Sequence, residues 1–196
     1  LYDKKRIDTE IIPNLVFNSF IRQNMYVILA LRWNKIYTKE LINSFIDSLD
    51  DNCRQIEDNF FIINAVLNSK SFYICNEFKC YNYYVMDNSI SRGYSGNQIL
   101  DAYFYTIECI AKRIKTCSLI DPHQVDFLAY DNARIVFHRC ASNSDYKTAK
   151  NLLKTIAANE RCRNVKLSEL KMLKNYIYHI GLKLHLYYIL YIIFKH

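Results

Sequence analysis

Turn-forming residues are scarce in this chain. Its 196 residues include three glycines, two prolines and a single tryptophan. Those counts exclude collagen-like and Gly/Pro-rich low-complexity architectures. Hydrophobic residues make up 51% of the chain, which excludes intrinsic disorder. The seven cysteines are odd in number and form no Cys-x-x-Cys pair. Their spacing matches neither a zinc site nor a disulfide framework, so the expectation is reduced thiols, no metal and a cytoplasmic protein. Basic residues are scattered, and the densest cluster is only Lys4-Lys5-Arg6, so no dedicated nucleic-acid patch is expected. Long apolar runs are missing as well. The most apolar stretch, "LHLYYILYIIFKH" at 184–196, is too short to span a bilayer. It reads as a buried strand or helix in preference to a membrane anchor. Leucine at position 1 reads as the start of a fragment.

A net charge of +7 and a pI near 9.0 favour an anionic partner: nucleic acid, an acidic protein surface or a phosphorylated cofactor. Helical spacing starts after Pro13 and Asn14, and Thr38 reads as the N-cap of a helix carrying Leu41, Ile42, Phe45, Ile46 and Leu49. Three strands are then expected, at 60–67 ("FFIINAVL"), 71–75 ("SFYIC") and 79–87 ("KCYNYYVMD"). A wide apolar stripe from Ile99 to Ile114 marks a long helix, broken at Pro122. Residues 125–130 ("VDFLAY") read as a fourth strand, and Asp131 or Asn132 as the cap of a helix carrying Ala133, Val136 and Phe137. Further helices are expected near 145–160 and 168–180. This order implies an α/β fold with a mixed sheet flanked by helices and additional C-terminal helices. Residues 1–144 would form the main domain, with 145–196 a helical, apolar segment packed on it.

Two of the three glycines, Gly93 and Gly96, fall in "SISRGYSGNQIL" just ahead of the long helix. A tight turn explains them. So does a loop whose backbone N–H groups, beside Arg92, receive a phosphate.

The strand–loop–helix–strand order with "RGYSG" at the junction resembles the GNAT N-acetyltransferases. A narrower resemblance, to the alpha-tubulin N-acetyltransferase (Mec-17) branch, rests on "KCYNYYVMDNS", "ISRGYSG", "DPHQ" and "VDFLAYDNAR". That resemblance implies a GNAT fold, acetyl-CoA as co-substrate and alpha-tubulin in microtubules as acceptor, hence a cytoskeleton-associated enzyme. It places the thioester along Val85, Met86 and Asp87, and the pyrophosphate on Arg92, Gly93, Tyr94, Ser95, Gly96 and Asn97. Cys80 falls on the family's active-site cysteine, and Asp131 near the carboxylate that takes the lysine proton. The bland readings stand beside these: Cys80 as a small buried hydrophobe, Asp131 as a helix cap, His123 in a polar turn and His138 on a helix surface. Two alternatives are an acetyltransferase with another amine acceptor and a non-enzymatic, mostly helical interaction protein.

Overall fold

The computed structural model describes residues 1–16, 35–73, 96–170 and 172–195. These residues are mostly helical, and their one sheet is a two-stranded pairing of β1 (Tyr2–Asp3) with β2 (Ser71–Phe72). The expected GNAT-like mixed sheet is therefore corrected to a helical fold. Two of its strands are helices, the described part of expected strand 71–75 pairs at Ser71–Phe72, and the expected strand 79–87 lies outside the described residues. The chain divides into two compact units, Leu1–Asp87 with Tyr105–Val125, and Asn88–Phe104 with Asp126–His196.

In the first unit, β1 runs antiparallel to β2 with Tyr2 opposite Phe72, and the two rings stack at 4.8 Å. A single turn, α1 (Lys4–Arg6), is capped by the Asp3 carboxylate and passes into a π-helical turn at Ile7–Ile11. Thr38 caps α2 (Lys39–Asn43), its side chain accepting from the Leu41 N–H. The apolar spacing beyond it continues as a 3₁₀ turn at Ile46–Ser48.

The stretch read as strand 60–67 lies within α3 (Glu57–Asn68). Phe60, Ile62, Ile63, Ala65 and Val66 are all buried, so the helix is apolar on nearly every side and shows no stripe. A short apolar run of that kind carries no period that separates helix from strand. Glu57 and Asp58 in the first turn complement the helix dipole. Buried Asn64 is satisfied within the unit: its Nδ2 donates to the Phe60 carbonyl, and Arg113 Nε donates to its Oδ1 at 2.7 Å.

The apolar stripe from Ile99 to Ile114 lies on one long helix, α4 (Asn97–Ile114). The second misread strand, 125–130, lies inside α5 (His123–Asn143). Pro122 follows the end of one helix and also opens the next. The Asp121 carboxylate accepts from the His123 N–H at 2.9 Å, and the fixed φ of proline suits a first helical turn. The Gln124 side chain then clamps the N-terminal segment. Its Nε2 donates to the Pro13 carbonyl at 2.6 Å, and its Oε1 accepts from the Val16 N–H at 3.3 Å.

The second unit contains most of α5, followed by α6 (Tyr146–Ala158), α7 (Glu160–Asn164), α8 (Leu173–Lys183) and α9 (Tyr187–Lys195). Asp145 caps α6 through the Thr148 N–H, and Asn159 caps α7 through the Cys162 N–H. Ala149, Leu152, Leu153 and Ile156 form the buried stripe of α6 at helical spacing. The C-terminal apolar run is a helix.

The turn between α8 and α9 explains their close packing. The Leu186 N–H donates to the Gly181 carbonyl and the His185 N–H to the Leu182 carbonyl, the paired bonds of a Schellman motif. His185 takes the left-handed position with φ of 55°, where glycine is the usual residue. Gly181 lets the returning helix approach: a Cβ there would lie 2.5 Å from Leu190 Cδ2. Phe137 of α5, Tyr178 of α8 and Phe194 of α9 meet as three rings with centroids 5.7 Å apart in each pair.

Candidate functional site

Of the residues expected to bind acetyl-CoA or to catalyse transfer, Gly96, Asn97 and Asp131 are among the described residues. Cys80, Val85, Met86, Asp87, Arg92, Gly93, Tyr94 and Ser95 lie outside them. Gly96 has φ of 58° at the turn into α4, and Asn97 is the first residue of that helix. Asp131 does not cap a helix. It sits within α5, buried, and its Oδ1 accepts from Arg134 Nη2 one turn on at 2.9 Å. His138 is on the exposed side of the same helix.

The interior of the second unit carries a polar network instead. Asp126, buried on α5, accepts from Arg161 Nη1 at 3.1 Å and from Asn164 Nδ2 at 3.2 Å, tying α5 to α7. Tyr130 donates its hydroxyl to the Asn175 carbonyl at 3.2 Å, and burial pushes its ionisation well up. The Tyr178 hydroxyl is fully buried without a hydrogen-bond partner, and burial likewise keeps it un-ionised. This network holds helices together and offers no free base.

A cavity of about 320 Å³ opens between α6, α7 and α8. Ile156, Ala157 and Leu182 supply apolar wall. Cys162, Arg163, His179, Lys183 and His185 supply the rest. Arg163, Lys183 and His185 are exposed at the rim, whereas Cys162 and His179 are buried. Burial pushes the Cys162 thiol up to about 12, so it stays protonated and unreactive at neutral pH. His179 is 3% exposed, and its Nε2 has no hydrogen-bond partner. Burial, and then the nearby Lys183 charge, hold its pKa below the ordinary 6.5, while Glu169 acts in the opposite sense. The ring is therefore neutral near pH 7. His185 Nδ1 is engaged with the Tyr187 hydroxyl at 2.6 Å.

The outer side of α9 is a second unusual surface. Its inner residues Tyr187, Leu190, Tyr191 and Phe194 are buried, yet the opposite stripe is Tyr188, Ile189, Ile192 and Ile193, each 45–59% exposed. Among the described residues sixteen large hydrophobic side chains are exposed, and nine of them fall between Met172 and Ile193. Single exposed apolar residues are ordinary, but such concentration in one segment sets it apart from the rest of the described surface. No Asp or Glu occurs from residue 170 to the end at 196, against four lysines and three histidines.

In comparisons with known proteins, no family model, no curated protein and no solved structure matches this chain.

Neither the cavity nor the α9 face follows from a local sequence pattern alone. "HIGLKLH" at 179–185 does contain the signal for the first: His179 and Lys183 stand four apart, one turn of a helix. The missing acids after Glu169 were the signal for the second.

Proposed function

We propose that the chain is a non-enzymatic helical interaction protein whose α9 face rests in the plane of an anionic lipid surface. The observation that carries this reading is the exposed Tyr188–Ile193 stripe in a segment free of acidic residues, with exposed Lys183 and Lys195 at either end of it. An aliphatic and aromatic stripe flanked by lysines is the pattern of helices that lie at a membrane interface. Protein–protein interface cores tend instead to be depleted in lysine. No described helix is long and apolar enough to cross a membrane, so the contact is at the surface. The resemblance to the acetyltransferases implied a mixed sheet, and the stretches 60–67 and 125–130 of that expected sheet are helical.

The test is cosedimentation with phosphatidylcholine vesicles, with and without phosphatidylserine. Binding is expected only with phosphatidylserine and weakens as salt rises. Lys195→Gln should weaken it about fivefold, since one lysine near an anionic surface contributes about 1 kcal/mol. Ile189→Ser with Ile192→Ser should remove it at unchanged helicity, because both side chains are outside the core. Equal binding to both vesicle types overturns the electrostatic part. No binding to either, with dimerisation that the double variant abolishes, gives the face to a second copy and overturns the proposal. Saturable heat from acetyl-CoA that Gly96→Glu removes returns the chain to the acetyltransferases.

A further inference from the structure

We propose that Cys53 and Cys109 form a redox pair, which a low-molecular-weight disulfide such as oxidised glutathione closes reversibly into a disulfide bond. Both are free thiols in this structure. The first unit holds them together through Asp50. That residue organises the turn carrying Cys53: its Oδ1 accepts from the Asn52 N–H at 2.8 Å, and its carbonyl accepts from the Cys53 N–H at 3.0 Å. Its Oδ2 reaches α4, where it accepts from the Tyr105 hydroxyl and lies 4.0 Å from Cys109 Sγ. Tyr105 and Cys109 are one helical turn apart, on one side of α4. The Cys53 thiol meets that same side, in hydrogen-bonding contact with the Thr106 side chain and the Cys109 thiol. Cys53 and Cys109 are 56 positions apart in the chain, so packing, not connectivity, brings the two sulfurs together.

The two thiols differ in access. Cys53 is buried, whereas Cys109 is half-buried and meets solvent. Burial pushes the Cys53 thiol up to about 12; the Cys109 contact and the Asp50 charge act in the same sense, and the Thr106 hydrogen bond acts against them. Cys109 therefore reacts first. Its thiolate attacks one sulfur of glutathione disulfide, a mixed disulfide forms and one glutathione leaves. Cys53 then attacks the Cys109 sulfur and expels the second glutathione. Two protein thiols are oxidised to one disulfide, one glutathione disulfide is reduced to two glutathiones, and the two thiol protons end on those glutathiones. The new bond ties the turn at 50–53 to α4 and closes a long chain loop, which takes conformational freedom from the unfolded chain.

The experiment equilibrates the full chain with glutathione and glutathione disulfide at neutral pH, once in buffer and once in enough urea to unfold it. Remaining thiols are then blocked with N-ethylmaleimide, and the digested peptides are mapped by mass spectrometry. In buffer the expected product is a cross-link between Cys53 and Cys109 with no glutathione retained, and dithiothreitol should reverse it. At one glutathione ratio, the linked-to-free ratio of this pair should be at least about thirtyfold higher in buffer than in urea, because folding favours a disulfide to the extent that the disulfide stabilises the fold. Cys53→Ser should leave glutathione bound to Cys109, and Cys109→Ser should leave the buried Cys53 unmodified. The comparison of buffer with urea uses the unsubstituted chain, so it stands even where a variant folds poorly. Glutathione kept on Cys109 beside a free Cys53 thiol overturns the proposal. So do cross-links joining either residue mainly to another cysteine, equal ratios in buffer and urea, and a chain in which both residues stay reduced.

Discussion

Replacing Gly181 with alanine tests the packing of α8 against α9, and the outcome follows from two opposed effects. Alanine in place of glycine within a helix gains up to about 1 kcal/mol from backbone entropy. The new Cβ would stand 2.5 Å from Leu190 Cδ2, 2.6 Å from its Cγ and 3.0 Å from its Cδ1. Leu190 is 0% exposed, so its side chain has no open side into which to turn. Overpacking of this kind costs about 1–3 kcal/mol. The net change for Gly181→Ala is thus a loss of about 0–3 kcal/mol, where a surface helix would show a gain. Leu190→Ala alone should cost about 2–5 kcal/mol through the cavity it leaves. In that background the clash is gone, and Gly181→Ala should become stabilising by up to about 1 kcal/mol. Urea denaturation of all four chains, followed by the helical circular dichroism signal, reads the sign in each background. A gain of equal size with and without the Leu190 side chain would refute the close approach.

Two further outcomes follow from the second unit. Asp126→Ala should lower stability by about 1–3 kcal/mol in thermal or urea unfolding, because it removes the buried carboxylate that accepts from half-buried Arg161 and exposed Asn164; a loss below about 1 kcal/mol would show that the network is dispensable. His179 is buried with its pKa below 6.5, so the unfolded chain binds more protons as pH falls through 6.5. The stability it protects is full above 6.5 and is lost on acidification toward its folded value. Lys183, Arg163, His185, Cys162 and Glu169 surround it and stay in place in His179→Gln, which should flatten that part of the melting-temperature profile. A profile unchanged by the substitution would assign the slope to another group.

The helices that the sequence displays are those with one apolar side. In α4 and α6 a polar face sets off the stripe, so the period is visible, and Thr38 is legible as a cap because its side chain does bond to Leu41. The two misread strands fail for different reasons. Residues 60–67 are apolar nearly all round, and burial removes the contrast on which a period depends. At 125–130 a buried Asp126 gives the run an alternating look, although that carboxylate points into an ion pair with Arg161. Pro122 reads as an ending, whereas Asp121-Pro122 also starts the next helix. Cys162 and His179 are far apart in sequence and meet at the cavity only through tertiary packing, which no local pattern shows. Asp131 reads as a cap only because the stretch before it reads as a strand; it is an interior helical residue.

The ring cluster has a kinetic consequence. Phe137 and Phe194 stand 57 positions apart, whereas Tyr178 and Phe194 are joined through a local helix–turn–helix. Closing the shorter loop costs less chain entropy, so α8 and α9 are expected to pair before either meets α5. The Schellman bonds at His185 would then be among the earliest formed, and the contact of Phe137 with that hairpin would be the commitment step for the unit. Backbone amides of α5 around Phe137 should accordingly exchange with solvent only when the whole unit opens, while those at the exposed start of α8 exchange through local fraying. A chain so short of glycine has placed one where two helices must come together soonest.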